Sequence, residues 1–586
     1  MSAFHVLLTR PLLAGFAAGV LLSLGACSAA NPEAPAKAAG NSPLADQARA
    51  SEPAALHETL AAPAEPQRKR EVLGKAAMPS AAYAPMPGAM AISRVQADAA
   101  LPGYRAQSRE QYQALADNPV HAVAVTPVST FSIDVDTGSY ANVRRFLNGG
   151  QLPPQDAVRL EELVNYFPYA YPLPKGDAPF GIHTELAATP WNSQSRLLRI
   201  AIKASDLRVD ELPAANLVFL VDVSGSMDRR DGLPLVQSTL KLLVDQLGAQ
   251  DKVSLVVYAG SSSVVLQPTA GSEKAKIRAA IDQLAAGGST AGESGIQLAY
   301  QQAQQGFIEG GINRILLATD GDFNVGISDF ASLKQLAADK RQTGVSLTTL
   351  GFGTDNYNEQ LMEQLADAGD GNYAYIDNLR EARKVLVDQL SSTLVTVASD
   401  VKIQVEFNPA QVSEYRLLGY ENRALKREDF SNDKVDAGEI GAGHTVTALY
   451  EVVPVGSNGW LEPLRYQTAI KADSKAGELA WLRIRYKAPG QGASKLLEQA
   501  IKAADVPVIS RASEDLRFAA AVAAFAQQLK GEQYTGHFSL ADSAELARNA
   551  KGEDRFGLRG EFVQLVELAQ SLQTADSRTT PLRVQQ

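Results

Sequence analysis

The chain has 586 residues, with 55 Lys+Arg against 65 Asp+Glu, six His and one cysteine. At about 100–200 residues per domain this length predicts several domains, and 45% hydrophobic with 20% charged residues excludes global disorder. A single cysteine excludes an intramolecular disulfide framework and any thiolate metal cluster. A formal charge of -10 argues against non-specific nucleic-acid binding, which needs a basic surface.

Residues 1–26 read as an address. Arg10 supplies a positive start and residues 12–24 form an apolar stretch, shorter than the ~20 residues of a membrane span. Leu24-Gly25-Ala26-Cys27 resembles a bacterial lipobox, which implies that Cys27 is acylated and becomes the new N-terminus. Several acyl chains, at ~0.8 kcal/mol per buried CH₂, hold a protein stably on a membrane. Ser28 stands where an Asp would signal retention at the inner membrane, so the expected location is the outer membrane, facing the periplasm. Residues 27–125 are rich in Ala and Pro and lack apolar periodicity, which predicts a disordered tether. The Arg68-Lys69-Arg70-Glu71 run within it reads as solvated charge.

Composition changes near residue 126, where an N-terminal domain is expected over 126–210. A strand at 131–135 is followed by helices at 139–147 and 155–166, then by strands within 180–203 around a turn at Pro190-Trp191-Asn192. Asp134 and Asp136 partly resemble the paired aspartates of haloacid-dehalogenase phosphatases, which keeps an Asp-based phosphohydrolase as a remote alternative. Gly138 stands where that motif has Thr or Val, so Asp136 and Ser139 are read as caps of the next helix.

The most informative stretch begins at Asn216. Residues 217–221 are continuously apolar, as in a strand buried on both faces of a parallel sheet. Asp222-Val223-Ser224-Gly225-Ser226 follows at once. One carboxylate and two hydroxyls at alternate positions of a strand-to-helix turn can converge on a hard divalent cation. A Gly-rich loop presents Thr290, and a second apolar strand, 314–319, ends in Asp320-Gly321. These motifs resemble the metal-ion-dependent adhesion site (MIDAS) of von Willebrand factor A (vWA) domains. The resemblance implies Asp222, Ser224, Ser226, Thr290 and Asp320 as metal ligands, with Mg²⁺ as the ion and Mn²⁺ or Ca²⁺ as substitutes. Ala291, where many relatives carry Asn, departs from the pattern without removing a ligand. Alternation across 211–395 supports the fold: strands at 217–223, 252–259, 262–267, 314–319, 346–352 and 372–376 alternate with helices at 234–247, 273–284, 292–306, 330–343, 358–368 and 379–394. The expected class is α/β, a mostly parallel sheet flanked by helices.

Residues 396–510 alternate as strands, for example 401–407 and 480–486, and predict a β-sandwich domain. His444 precedes one of its strands and is read as a polar edge residue. Helices return over 511–573, with Phe518, Val522, Phe525 and Leu529 on one face and Phe562, Leu565, Leu568 and Leu572 on another, and 574–586 reads as a flexible tail. The order of these parts, with the stretches 129–140 and 435–450, resembles the bacterial YfbK-like vWA lipoproteins. The expected function is non-enzymatic: a membrane-anchored module of the cell envelope whose metal ion captures an acidic side chain of a partner protein. The alternative is a structural scaffold whose contacts come from the N- and C-terminal domains. No catalytic residue is expected, since Ser224 and Ser226 lack a base and the cysteine is committed to lipid.

Overall fold

The computed structural model describes residues 110–579, apart from 177, 208–211, 289–291, 322–329, 355–356, 436, 463–464, 466–474, 476, 490–491, 504–505 and 532. The lipobox with Cys27, the 68–71 charge run and Thr290 therefore lie outside the described residues.

The apolar run before Asp222 dictates a sheet covered on both faces. Strand Ala215–Asp222 is buried along its whole length. Its side chains alternate, Leu217, Phe219 and Val221 joining one hydrophobic cluster and Val218 and Leu220 the cluster on the other face. Strands Lys252–Tyr258 and Ile312–Thr319 flank it in parallel. Ser346–Gly351 and Tyr373–Tyr375 extend the sheet on one side, and Ser262–Ala270 closes the other edge antiparallel. Helices Leu233–Gln246 and Lys274–Asp282 cover the first face. Gly292–Gly306, Phe330–Arg341 and Glu359–Ala368 cover the second. This is the α/β architecture that the sequence predicts, with one departure. The helix expected over 379–394 is interrupted: α-helical turns Leu379–Arg383 and Leu390–Leu394 flank a π-helical segment, Lys384–Asp388.

The domain boundaries expected on either side of this unit need correction. Strand Arg196–Ala204 pairs antiparallel with Thr445–Pro454, in register from Lys203↔Thr445 to Arg196↔Val452, and with Phe180–Ala188 on its other edge. Val128–Ser132 pairs with Thr396–Phe407, which also carries Glu478–Lys487 and, beyond it, Lys495–Lys502. The N-terminal and C-terminal strands thus build one β-sandwich, closed over a shared core that includes Phe131, Ile200, Phe407, Tyr415, Tyr450 and Ile484. The parallel-sheet unit is inserted between Ala204 and Thr396. Alternation marks each strand as half-buried but carries no record of its partner, so two domains were expected where one closes across the insertion. Residues 110–125, expected in the tether, belong to the fold: Val123 is buried in the sandwich core and Arg145 binds Glu110 at 2.9 Å. Helices Glu514–Lys530, Leu540–Arg548 and Leu558–Thr579 pack with Gly138–Asn148 and Leu160–Asn165 around Phe167, Phe518, Phe525 and Phe562.

The capping reading of Asp136 and Ser139 also fails. Asp136 accepts a hydrogen bond from the Tyr373 amide at 2.9 Å, while Ser139 Oγ donates to Ala157 O and accepts from Arg159 N. Thr137 stands at the helix start with no side-chain bond. Asp136 instead joins a knot in which the Arg423 guanidinium binds Asp134 at 2.9 Å, Asp136 at 3.3 Å, Glu363 at 2.9 Å and Asp367 at 2.8 Å. The knot ties the N-terminal segment, the helix Glu359–Ala368 and the sandwich together. One cation among four carboxylates leaves an acidic excess, and Glu162 lies nearby. Burial, and then the neighbouring Glu363 and Glu161, push Glu162 up to about 8; burial pushes Asp134 up to about 7 against the pull of Arg423.

A carboxyl whose folded-state pKa is raised binds more protons folded than unfolded, so its contribution is full below about 4.5 and is lost as pH rises through about 8. Glu162→Gln keeps an acceptor for the Ser139 amide, which Glu162 now binds at 2.8 Å. We expect this variant to gain roughly 2 kcal/mol or more on wild type between pH 4.5 and pH 8. Denaturant unfolding across that range checks it; a constant difference between the two proteins would contradict it.

Candidate metal centre

The parallel register places the site. Val221 pairs with Ala318, so Asp222 lies beside Thr319, and Asp320 follows one residue on, all at the carboxyl edge of the sheet. Open α/β sheets bind ligands at that edge. Asp222 and Asp320 are both buried. Asp222 Oδ1 accepts from the Ser224 amide at 2.8 Å and Oδ2 accepts from Thr319 Oγ1 at 2.9 Å. Ser224 Oγ and Ser226 Oγ lie 3.0 Å apart as Gly225–Met227 turns in a single 3-10 turn. The Gly225 amide donates to Gly288 O at 3.1 Å and the Gly287 amide to Val223 O at 2.7 Å, which fixes the Gly-rich loop against the motif. Gly321 has φ of +79°, a conformation that favours glycine, and a Cβ there would lie 3.0 Å from the Asn358 amide nitrogen.

Four of the five residues singled out in the sequence, Asp222, Ser224, Ser226 and Asp320, come together here. The fifth, Thr290, lies outside the described residues. Burial pushes Asp222 up to about 6; bonds from Ser224 and Thr319 oppose that and the charge of Asp320 adds to it. Two buried carboxylates and two facing hydroxyls form an oxygen-only donor set, the chemistry a hard divalent cation takes. The residues present therefore fit such an ion.

Sequence reasoning missed two residues of this region. Thr319 Oγ1 donates to Asp222 and accepts from the Gly321 amide at 3.1 Å, joining the two motifs. Its signal was its place as the last strand residue before Asp320. Arg229 binds Asp231 at 2.7 Å and Thr354 O at 2.7 Å, so it fastens the serine loop to the loop after Ser346–Gly351. Nothing local marked it. The closest grouping of three carboxylates among the described residues is elsewhere: Asp134, Asp136 and Asp367 have ligand atoms within 4.8 Å of one another. Arg423 pairs with all three, so the aspartates of the phosphohydrolase reading are held in ion pairs. His444, read as an edge residue, is half-buried at the wall of a cavity.

The sheet order and the Asp/Ser cluster at its edge define a von Willebrand factor type A domain protein. The model of the von Willebrand factor type A domain matches residues 216–389, that of von Willebrand factor matches 106–199, and that of the uncharacterized protein YfbK, C-terminal, matches 392–572. The chain is 53% identical over 468 residues to the uncharacterized protein YfbK of Escherichia coli strain K12, covering 78% of this chain and 81% of that relative, and it belongs to the YfbK family. It is also 35% identical over 193 residues to the uncharacterized protein sll0103 of Synechocystis, covering 32% of this chain and 44% of the relative. A solved von Willebrand factor type A protein from Catenulispora acidiphila is similar at 17% identity and a TM-score of 0.37, covering 65% of this chain and 89% of that one. Membership of this class is consistent with a protein-interaction module.

Binding to the folded state alone stabilises by about 2.7 kcal/mol at a hundredfold excess over the dissociation constant. Saturating Mg²⁺ is therefore expected to raise the thermal midpoint of the wild-type chain, with little or no rise in Asp222→Ala. The rise should fade as pH falls through about 6, where Asp222 takes up a proton. Differential scanning fluorimetry with and without EDTA reads both, and an equal rise in Asp222→Ala would place the ion elsewhere.

Proposed function

We propose that this protein is a membrane-anchored, metal-dependent protein-binding module of the bacterial cell envelope. A divalent cation, Mg²⁺ in the first instance, is held by Asp222, Ser224, Ser226, Thr290 and Asp320. When bound, the ion supplies an open coordination position for an Asp or Glu of a partner protein. The observation that carries this reading is the pairing of the Ser224 and Ser226 hydroxyls, 3.0 Å apart, with the two buried carboxylates at the sheet edge. Asp222 orients its neighbours through the Ser224 amide and Thr319, so the donor set is held in place by the strands themselves. A lipid on Cys27 would hold the chain at the outer membrane, facing the periplasm.

Capture of partners from solubilised envelopes, in Mg²⁺ and in EDTA, tests the metal. Binding is expected to fall at least tenfold in EDTA and in Asp222→Ala. Capture unchanged in both would remove the metal from recognition and leave the scaffold reading. Cys27→Ser is expected to move the chain from the membrane to the soluble fraction on cell fractionation.

A further inference from the structure

A cavity of about 450 Å³ opens where the vWA unit, the sandwich and the C-terminal helices meet. This is within the 300–1,000 Å³ range of small-molecule sites. None of Asp222, Ser224, Ser226 or Asp320 lines it. We propose that this cavity binds a small ligand with an apolar body and an oxyanion group, a carboxylate or a phosphate ester.

Two independent observations carry the proposal. The first is the distribution of charge. Lys203, Arg380, Arg383 and Lys384 line the cavity together with His444, against Asp136, Asp206 and Asp388. Asp136 is already held by Arg423 and the Tyr373 amide, the charge of Asp206 acts on Lys203, and Arg380 pairs with Glu561 at 3.4 Å, while Arg383 is exposed. Lys384 is buried, 3.4 Å from Glu381 and with its Nζ 3.6 Å over the Tyr166 ring. Lys203 Nζ donates to Gly443 O at 2.5 Å. Burial pushes both lysines below their ordinary range. It pushes His444 down to about 4, and the two ammonium charges add to that fall. Positive potential therefore converges on the imidazole. Phe167, Tyr169 and Val385 supply an apolar wall for the body of the ligand.

The second observation is the π-helical segment Lys384–Asp388, of which Lys384, Val385 and Asp388 line the same cavity. The Gln389 amide reaches back to Lys384 O at 2.9 Å, and Thr393 Oγ1 donates to Val385 O and Gln389 O. Residues 379–394 contain neither Gly nor Pro to force the interruption. Single π turns within α-helices recur at functional sites, and this one places Lys384 and Gln389 on the cavity wall.

Benzoate and phenyl phosphate, with benzyl alcohol as the neutral analogue, test the inference by calorimetric titration of the full chain. One or both oxyanions should bind with millimolar or tighter affinity and benzyl alcohol at least tenfold more weakly. Which oxyanion binds distinguishes a carboxylate from a phosphate source. Lys203→Gln and Arg383→Gln should each weaken binding fivefold or more while leaving stabilisation by Mg²⁺ unchanged. The proposal is overturned if neither oxyanion binds, if benzyl alcohol binds as well, or if the variants match wild type. Because the site shares no residue with the metal centre, none of these results bears on the metal-dependent reading.

Discussion

The structure depends on one long-range pairing, that of strand Arg196–Ala204 with strand Thr445–Pro454. Everything between Ala204 and Thr396 is a closed excursion from the sandwich. Closing so long a loop has an entropic cost that grows only logarithmically with length, and a continuous ladder of backbone hydrogen bonds over a shared apolar core offsets it. The pairing also fixes both ends of the vWA unit. The unit leaves the sandwich after one strand and returns at Thr396 into another, Thr396–Phe407. Between them the broken helix 379–394 and the Arg423 knot brace the unit against the rest.

The candidate metal centre is a consequence of strand register more than of loop chemistry. Parallel pairing sets Asp222 next to Thr319, and a single hydroxyl then links both acidic motifs. Glycines handle the turns, where Gly321 needs a positive φ and Gly288 another. The cost is burial, which raises Asp222, with the charge of Asp320 adding to it. Burial of like charges is tolerated where a cation completes the set.

Much of this was legible in the sequence, and for stated reasons. Residues 217–221 announce a strand covered on both faces, and two motifs, each at a strand end, place Asp222, Ser224, Ser226 and Asp320 together. Helix faces such as Phe518, Val522 and Phe525 follow from a 3.6-residue period. What was not legible needs distant partners. Val128–Ser132 gives no hint that it joins Thr396–Phe407, so one sandwich read as two domains. Arg423 is an unremarked arginine until four carboxylates from two other segments surround it. The interruption at Lys384–Asp388 has no Gly or Pro to betray it. Asp136 and Ser139 fit a helix cap by type, but buried backbone amides elsewhere claimed them.

The N-terminal end of the described fold has a mechanical consequence. Gln111 forms a parallel bridge with Asn358: its amide donates to Tyr357 O at 2.9 Å and its carbonyl accepts from the Glu359 amide at 3.2 Å. Asn358 is the residue against which Gly321 packs, and Gly321 follows Asp320. The chain therefore enters the fold beside the metal-centre loops. A pull on residue 110 would therefore load this short bridge and the Arg145–Glu110 pair first, ahead of strand His121–Ala122, which follows in the chain and belongs to the sandwich.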